Sequence, residues 1–219
     1  MSLLQPALAS REAAEAGSHS SAHPAARIVV RRLAWAAVVL ALDLWSKAAV
    51  FRWLQPLVDR HELPYHHCPG LMSHPRYPLL GDWLGFMLSR NPGAAFGKFG
   101  DMPYLLVGGR VVAACFVSWL ILRATPRKPW VAAAFVLILG GALGNVYDNL
   151  FLAEAGSGHP FGTVRDFIDV YLGFADWHFP TFNVADSCIT VGATILVVNG
   201  LFTRSTPPEA ASEPAPPPA

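Results

Sequence analysis

Four segments of this chain are apolar for long enough to cross a lipid bilayer, at about 33–51, 104–122, 130–150 and 184–202. A spanning helix needs roughly 20 predominantly apolar residues. None of the four shows the two-residue alternation of a barrel strand. Each is apolar on every face, as a bundled or lipid-facing helix is. The composition agrees: 53% of the 219 residues are hydrophobic and 14% are charged, against about a quarter charged in ordinary soluble domains.

Lysine and arginine placement orients the spans. Arg27, Arg31 and Arg32 precede the first span, Arg123, Arg127 and Lys128 fill the short link between the second and third, and Arg204 follows the fourth. These positions place both termini in the cytoplasm and the connections at about 52–103 and 151–183 on the other side. The first of those is long and rich in Pro, Gly and His. A connection of that length is seldom without secondary structure, and a small strand element resting on the membrane surface is expected there. Residues 1–30 are expected to be a disordered cytoplasmic extension without the basic start and apolar run of a secretory signal. Residues 31–204 form the membrane domain, and residues 205–219 a disordered Pro-rich tail. The net charge of +1 gives no footprint for nucleic acid. Cys68, Cys115 and Cys188 lie far apart without a CxxC pair, which excludes a disulfide scaffold, a zinc ribbon and a thiol-redox centre.

The chemistry lies in the polar residues that the spans tolerate. A charged group at a helix centre costs roughly 2.5–3.5 kcal/mol on insertion scales. Asp43 and Lys47 are four apart on one helix face, in the order that favours pairing. Asn145 and Asp148 share a face three residues apart, as do Asn183 and Asp186 at the start of the fourth span, and Asp166 and Asp169 lie in the connection before it. Topology brings all of these to one depth, the outer boundary of the bilayer. Two neighbouring carboxylates cannot easily both ionise, so they share a proton. The ionised member can activate water while the protonated member polarises a carbonyl, which hydrolyses a peptide without a metal. The alternative is that these residues only cap helices and pair with Arg or Lys. The spacing leaves open which two aspartates would form the pair.

Other chemistries fit less well. His66, His67, Cys68 and His74 have no carboxylate pattern around them, so no metal is expected. Ser46 and Lys47 point about 100° apart on a helix, which is wrong for a Ser–Lys dyad. Cys188 has no basic partner nearby in sequence. Arg110, near the start of the second span, is expected to snorkel to the interface. Gly140, Gly141 and Gly144 are expected to let helices approach closely, and Gly93 to make a tight turn after Pro92.

Four blocks, DLWSK at 43–47, NPGAAFG at 91–97, GALGNVYDN at 141–149, and VRDFI at 164–168 with FPTFNVADSCITVG at 179–192, resemble signal peptidase II in the order of that family. The resemblance implies an all-α membrane protein of four transmembrane helices with a small extracytoplasmic β-cradle from the first outer connection. It implies an aspartic endopeptidase of the bacterial inner membrane, acting at the periplasmic face as a monomer among membrane lipids and without a cofactor. The substrate implied is a diacylglyceryl-modified prolipoprotein, cut before the lipidated cysteine. The catalytic residues implied are Asp166 and Asp186, with Asp43, Lys47, Asn91, Asn145 and Asn183 around the substrate. One departure stands out: where the family reads GNxxDR, this chain has Asn149 in place of the arginine. Arg165 is expected to supply the missing charge, and the long stretch 149–165 to form a mobile loop over the site. A non-catalytic relative that binds lipoproteins or lipopeptide antibiotics is the first alternative, favoured by Asn149 alone. A four-span transporter or redox protein is the second, and it would want midplane charges or a CxxC pair.

Overall fold

The computed structural model describes residues 22–66, 74–92, 102–123, 128–152, 160–175 and 177–202. The elements follow the chain as α1 (Ala22–Asp59), β1 (Tyr65–His66), β2 (His74–Pro75), β3 (Tyr77–Leu80), β4 (Leu84–Asn91), α2 (Pro103–Arg123), α3 (Pro129–Phe151), β5 (Val164–Leu172), a short 3-10 turn (Gly173–Ala175), β6 (Trp177–Phe182) and α4 (Val184–Phe202). Among the described residues three helices, α2, α3 and α4, are long and apolar enough to cross a membrane, with mean hydropathies of 2.1, 1.8 and 1.6. The molecule is thus mostly helical, with a small antiparallel sheet.

Helix α3 is the centre of the bundle and packs against α1, α2 and α4. Its glycines permit this. A Cβ on Gly140 would meet Val39 and the Ala36 carbonyl of α1 at 2.5–2.8 Å, and one on Gly141 would meet the Ala185 carbonyl of α4 at 2.5 Å. A Cβ on Gly144 would collide with the Asp43 carboxylate. Between α1, α2 and α3 the core is built from Ala36, Ala114, Val117, Ile121, Val136, Leu139 and Ala142. The outer faces are apolar too: Val112, Phe116 and Leu122 of α2 and Val197 and Leu201 of α4 are exposed. A soluble surface rarely carries such continuous apolar area; hydrocarbon covers it without cost.

Several boundaries differ from the sequence expectation. Helix α1 begins at Ala22, inside the stretch 1–30 expected to lack structure, and continues past 51 to Asp59. No glycine marks its end. His61 takes the left-handed conformation (φ 56°), the Glu62 amide donates to Leu57 O at 2.9 Å and the His61 amide donates to Val58 O at 3.0 Å. This is a Schellman cap with histidine where glycine is usual.

The sheet is also not the product of the first outer connection alone. Its order is β3-β4-β5-β6, so half of it comes from the connection between α3 and α4. All neighbours are antiparallel. Bulges interrupt the pairing between Phe86 and Ser89 and between Ile168 and Val170. Phe86 and Phe167 anchor the sheet on Val50, Phe51 and Leu54 at the end of α1, and Trp53 meets Tyr77 edge-on at 4.7 Å. The expectations for His67, Cys68, Gly93, Arg127, Arg204, the Pro-rich tail and the centre of the 149–165 stretch lie outside the described residues.

Candidate active site

The site forms where the ends of α1, α3 and α4 meet strand β5. It is organised from Asn183, which ends the β6 connection and starts α4. The Asn183 side-chain oxygen accepts from the Asp186 amide at 2.9 Å, and the Asp186 carboxylate accepts from the Asn183 amide at 3.3 Å. This is a reciprocal capping box, which an Asn–x–x–Asp spacing supplies in place of the commoner Ser–x–x–Glu. A further amide of the same turn, Ala185 N–H, donates to Asp43 of α1 at 2.8 Å. The start of α4 is therefore fixed by its own residues and by a carboxylate 142 residues away in sequence.

Asparagine amides hold both expected catalytic carboxylates. Asp166, 2% exposed on β5, accepts from Asn183 Nδ2 at 2.6 Å on one oxygen and from Asn91 Nδ2 at 3.1 Å on the other. Asn91 ends β4 opposite Val164, a diagonal position from which a side chain reaches Asp166. Asp186 accepts from Asn145 Nδ2 at 2.8 Å. The Asp166 carboxyl is pushed up from 3.8 to about 7, first by burial and then by the charge of Asp186; the bonds from Asn91 and Asn183 and the charge of Lys47 oppose this. Asp166 and Asp186 line one cavity of about 490 Å³ together with Asn91 and Arg110, its walls completed by Phe179, Phe182 and Ile189 among others.

Lys47 lies deeper. Its side chain is fully buried, 2.7 Å from Asp43 and 3.4 Å from Asp148, and it donates to Asn145 Oδ1 at 2.9 Å. Asn145 Oδ1 also accepts from Asn183 Nδ2 at 3.2 Å. The expected residues Asp43, Lys47, Asn91, Asn145, Asn183, Asp166 and Asp186 thus join in one hydrogen-bonded network. Of the five residues expected around the substrate, Asn91 lines the cavity, and Asp43, Lys47, Asn145 and Asn183 lie outside its lining.

The structure separates the aspartates that spacing left open. Asp166 and Asp169 are three apart on a strand, so they occupy opposite faces. Asp169 pairs with Arg76 at 2.5 Å and His178 at 2.8 Å, away from the cavity. Asp148 accepts from Arg165 Nη2 at 2.8 Å, from Nε at 3.3 Å and from its backbone amide at 3.0 Å. Arg165 is committed to Asp148, which corrects the expectation that it stands in for the arginine absent at 149. Arg110, expected to snorkel, instead donates to Asn149 Oδ1 at 2.6 Å and faces the cavity. A charge inside an otherwise apolar span was the available sign of this role. Ser46 donates to the Asp43 carbonyl of its own helix at 2.9 Å, so its hydroxyl is not aimed at Lys47.

A family model described as Signal peptidase (SPase) II matches residues 35–202. The lipoprotein signal peptidase of Psychromonas ingrahamii is 33% identical over 183 residues, 82% of this chain and 89% of that protein. That of Photorhabdus laumondii is 34% identical over 170 residues, 76% and 84% of the two chains. A solved bacterial membrane enzyme structure, 21% identical, superimposes with a TM-score of 0.55 over 78% of this chain and 87% of its own, and so shares the fold. The family match runs through the whole network just described: the chain belongs to the signal peptidase II family and is a multi-pass membrane protein.

Proposed function

We propose that Asp166 and Asp186 are the catalytic carboxylates with which this lipoprotein signal peptidase removes the signal peptide from diacylglyceryl-modified prolipoproteins, cutting before the lipidated cysteine. The observation that carries the assignment is their common exposure to one cavity with neutral amide partners. Asp166, raised to about 7, carries the shared proton and gives it to the scissile carbonyl oxygen. Asp186 stands at the N-terminus of α4, where the helix dipole favours negative charge. It takes a proton from water as the water oxygen attacks the carbonyl carbon. The tetrahedral intermediate collapses when a proton returns to the leaving cysteine nitrogen. Neither a metal nor a covalent intermediate is required.

The finer membrane arrangement is part of the same proposal. Helix α1 supplies a fourth span over 33–51, its charges compensated internally by the Asp43–Lys47 pair. Arg31 and Arg32 of α1, Arg123 of α2 and Lys128 before α3 gather at the end opposite the site, which supports cytoplasmic termini and a periplasmic active site in the inner membrane. The enzyme works as a monomer in contact with lipid, with residues 1–30 and 205–219 outside the membrane domain.

The test is cleavage of a lipidated prolipoprotein by the purified chain in detergent, alongside Asp166→Asn and Asp186→Asn. Wild-type cleavage with both variants inactive is the expected result. A variant with full activity overturns the dyad, and an inactive wild type favours the non-catalytic relative that Asn149 first suggested.

A further inference from the structure

We propose that Arg110 is the substrate-positioning cation of this active site, holding carbonyl oxygens of the extended peptide beside the scissile bond. The inference deepens the catalytic reading above and rests on it. Arg110 lies about 10 Å into α2 at 1.5 Å per residue, in a helix of mean hydropathy 2.1. A charge in such a helix has an insertion cost and marks a functional position when it faces a polar cavity. Arg110 faces the cavity that Asp166, Asp186 and Asn91 line.

Its position is fixed from two directions. Asn149 is 1% exposed, and its amide nitrogen donates to Gly162 O at 2.7 Å while Gly162 N–H donates back to Asn149 O at 2.8 Å. That clamp turns the Asn149 side-chain oxygen toward Arg110 Nη1, 2.6 Å away. Tyr104 of the first turn of α2 packs edge-on against Phe161 at 5.3 Å, tying α2 to the same segment. A guanidinium is a planar fork of five N–H donors whose geometry suits peptide carbonyls, and the bond to Asn149 helps to orient that fork at the cavity wall. Arg165 cannot take this role, because Asp148 engages both its guanidinium and its backbone amide. Position 149 thus orients an arginine that arrives from another helix, where the family motif carries the arginine itself.

Steady-state cleavage of a lipidated prolipoprotein by the full chain tests this, with thermal midpoints in detergent as the folding control. Arg110→Gln should lower kcat/KM roughly 10- to 100-fold, the scale of hydrogen bonds from a charged donor, with most of the loss in KM and the midpoint retained. Arg110→Lys keeps charge without the fork and should recover part of it. The double variant Arg110→Ala with Asn149→Arg returns the cation from α3 and should restore most of kcat/KM. Wild-type kcat/KM in Arg110→Gln, with both aspartate variants inactive, overturns this inference alone. So does an Arg110→Gln variant whose activity falls only in step with a lowered midpoint, since Arg110 is then only a helix anchor. Activity in either aspartate variant overturns the catalytic reading beneath it.

Discussion

Two sets of carboxylates lie within one network and differ in what neutralises them. Asp43 and Asp148 are fully buried and answered by cations: Lys47 stands between them, and Arg165 closes on Asp148. That cluster pairs two carboxyl groups with two basic side chains. Asp166 is buried almost as deeply, yet it and Asp186 are answered by the amides of Asn91, Asn183 and Asn145. A cation adds a compensating charge beside a carboxylate, whereas an amide N–H bonds it without adding charge. Partner type therefore distinguishes the support from the candidate catalytic pair, and cavity access does too: Asp166 and Asp186 line the cavity, and Asp43 and Asp148 do not. Asn145 is the joint between the two, accepting from Lys47 on one side and donating to Asp186 on the other. Asp169, held by Arg76 and His178, follows the first pattern on the far face of β5.

The largest effects test that division directly. Asp166→Asn and Asp186→Asn should each lower cleavage by about a thousandfold or more, within the range of general acid–base loss, without loss of folded protein. The stability of Asp166→Asn carries a sign. The folded state holds the Asp166 proton up to about pH 7 against 3.8 for a free carboxyl, so it binds more protons than the unfolded chain. Its contribution to stability falls as pH rises through that window. At pH 8 Asp166→Asn should melt no lower than wild type; a clearly lower midpoint would make Asp166 structural. Lys47→Met should do the opposite. It leaves Asp43 without its cation and Asp148 with Arg165 alone, at a cost of about 3–5 kcal/mol, and should be read as lost folded protein on denaturation in detergent. A Lys47→Met variant with the wild-type midpoint would erase the distinction. Asp169→Asn should loosen the sheet and leave cleavage within about tenfold of wild type, because its partners lie on the other face. Inactivation on the scale of Asp166→Asn would break the argument from strand alternation.

Much of this was legible in sequence, and the remainder has identifiable causes. Apolar length revealed the helices because a span must satisfy its own backbone. The Asp43–Lys47 and Asn183–Asp186 spacings were legible because i,i+4 and capping contacts are local. Strand β5 was not, because its partners β4 and β6 come from different connections and VRDFI has no hairpin of its own with β4. The end of α1 was missed because histidine, and not glycine, takes the left-handed position. The choice among Asp148, Asp166 and Asp169 needed contacts between residues as far apart as Arg76 and Asp169, 93 positions in sequence. Arg110 looked like an interfacial residue until its bond to Asn149, 39 positions away, gave it a direction.

The smallest expected effect is also the most discriminating for the amide-held pair. A carboxyl near 7 sets the basic limb of the kcat/KM profile, because the shared proton leaves there; activity should fall about tenfold per pH unit above it. The limb belongs to the coupled pair and is read as an apparent value. Asn91 donates to Asp166 at 3.1 Å and favours its ionised form, lowering its proton affinity. Asn91→Ala removes that bond and should move the basic limb to higher pH by less than about one unit, the scale of one modest hydrogen bond. Asn91 does not cap α4, so the midpoint should hardly change. A limb that moves downward would mean that Asn91 favours the protonated form. An unmoved limb would mean that a group other than Asp166 carries the proton, and the contrast between cation-held and amide-held carboxylates would then explain burial but not catalysis.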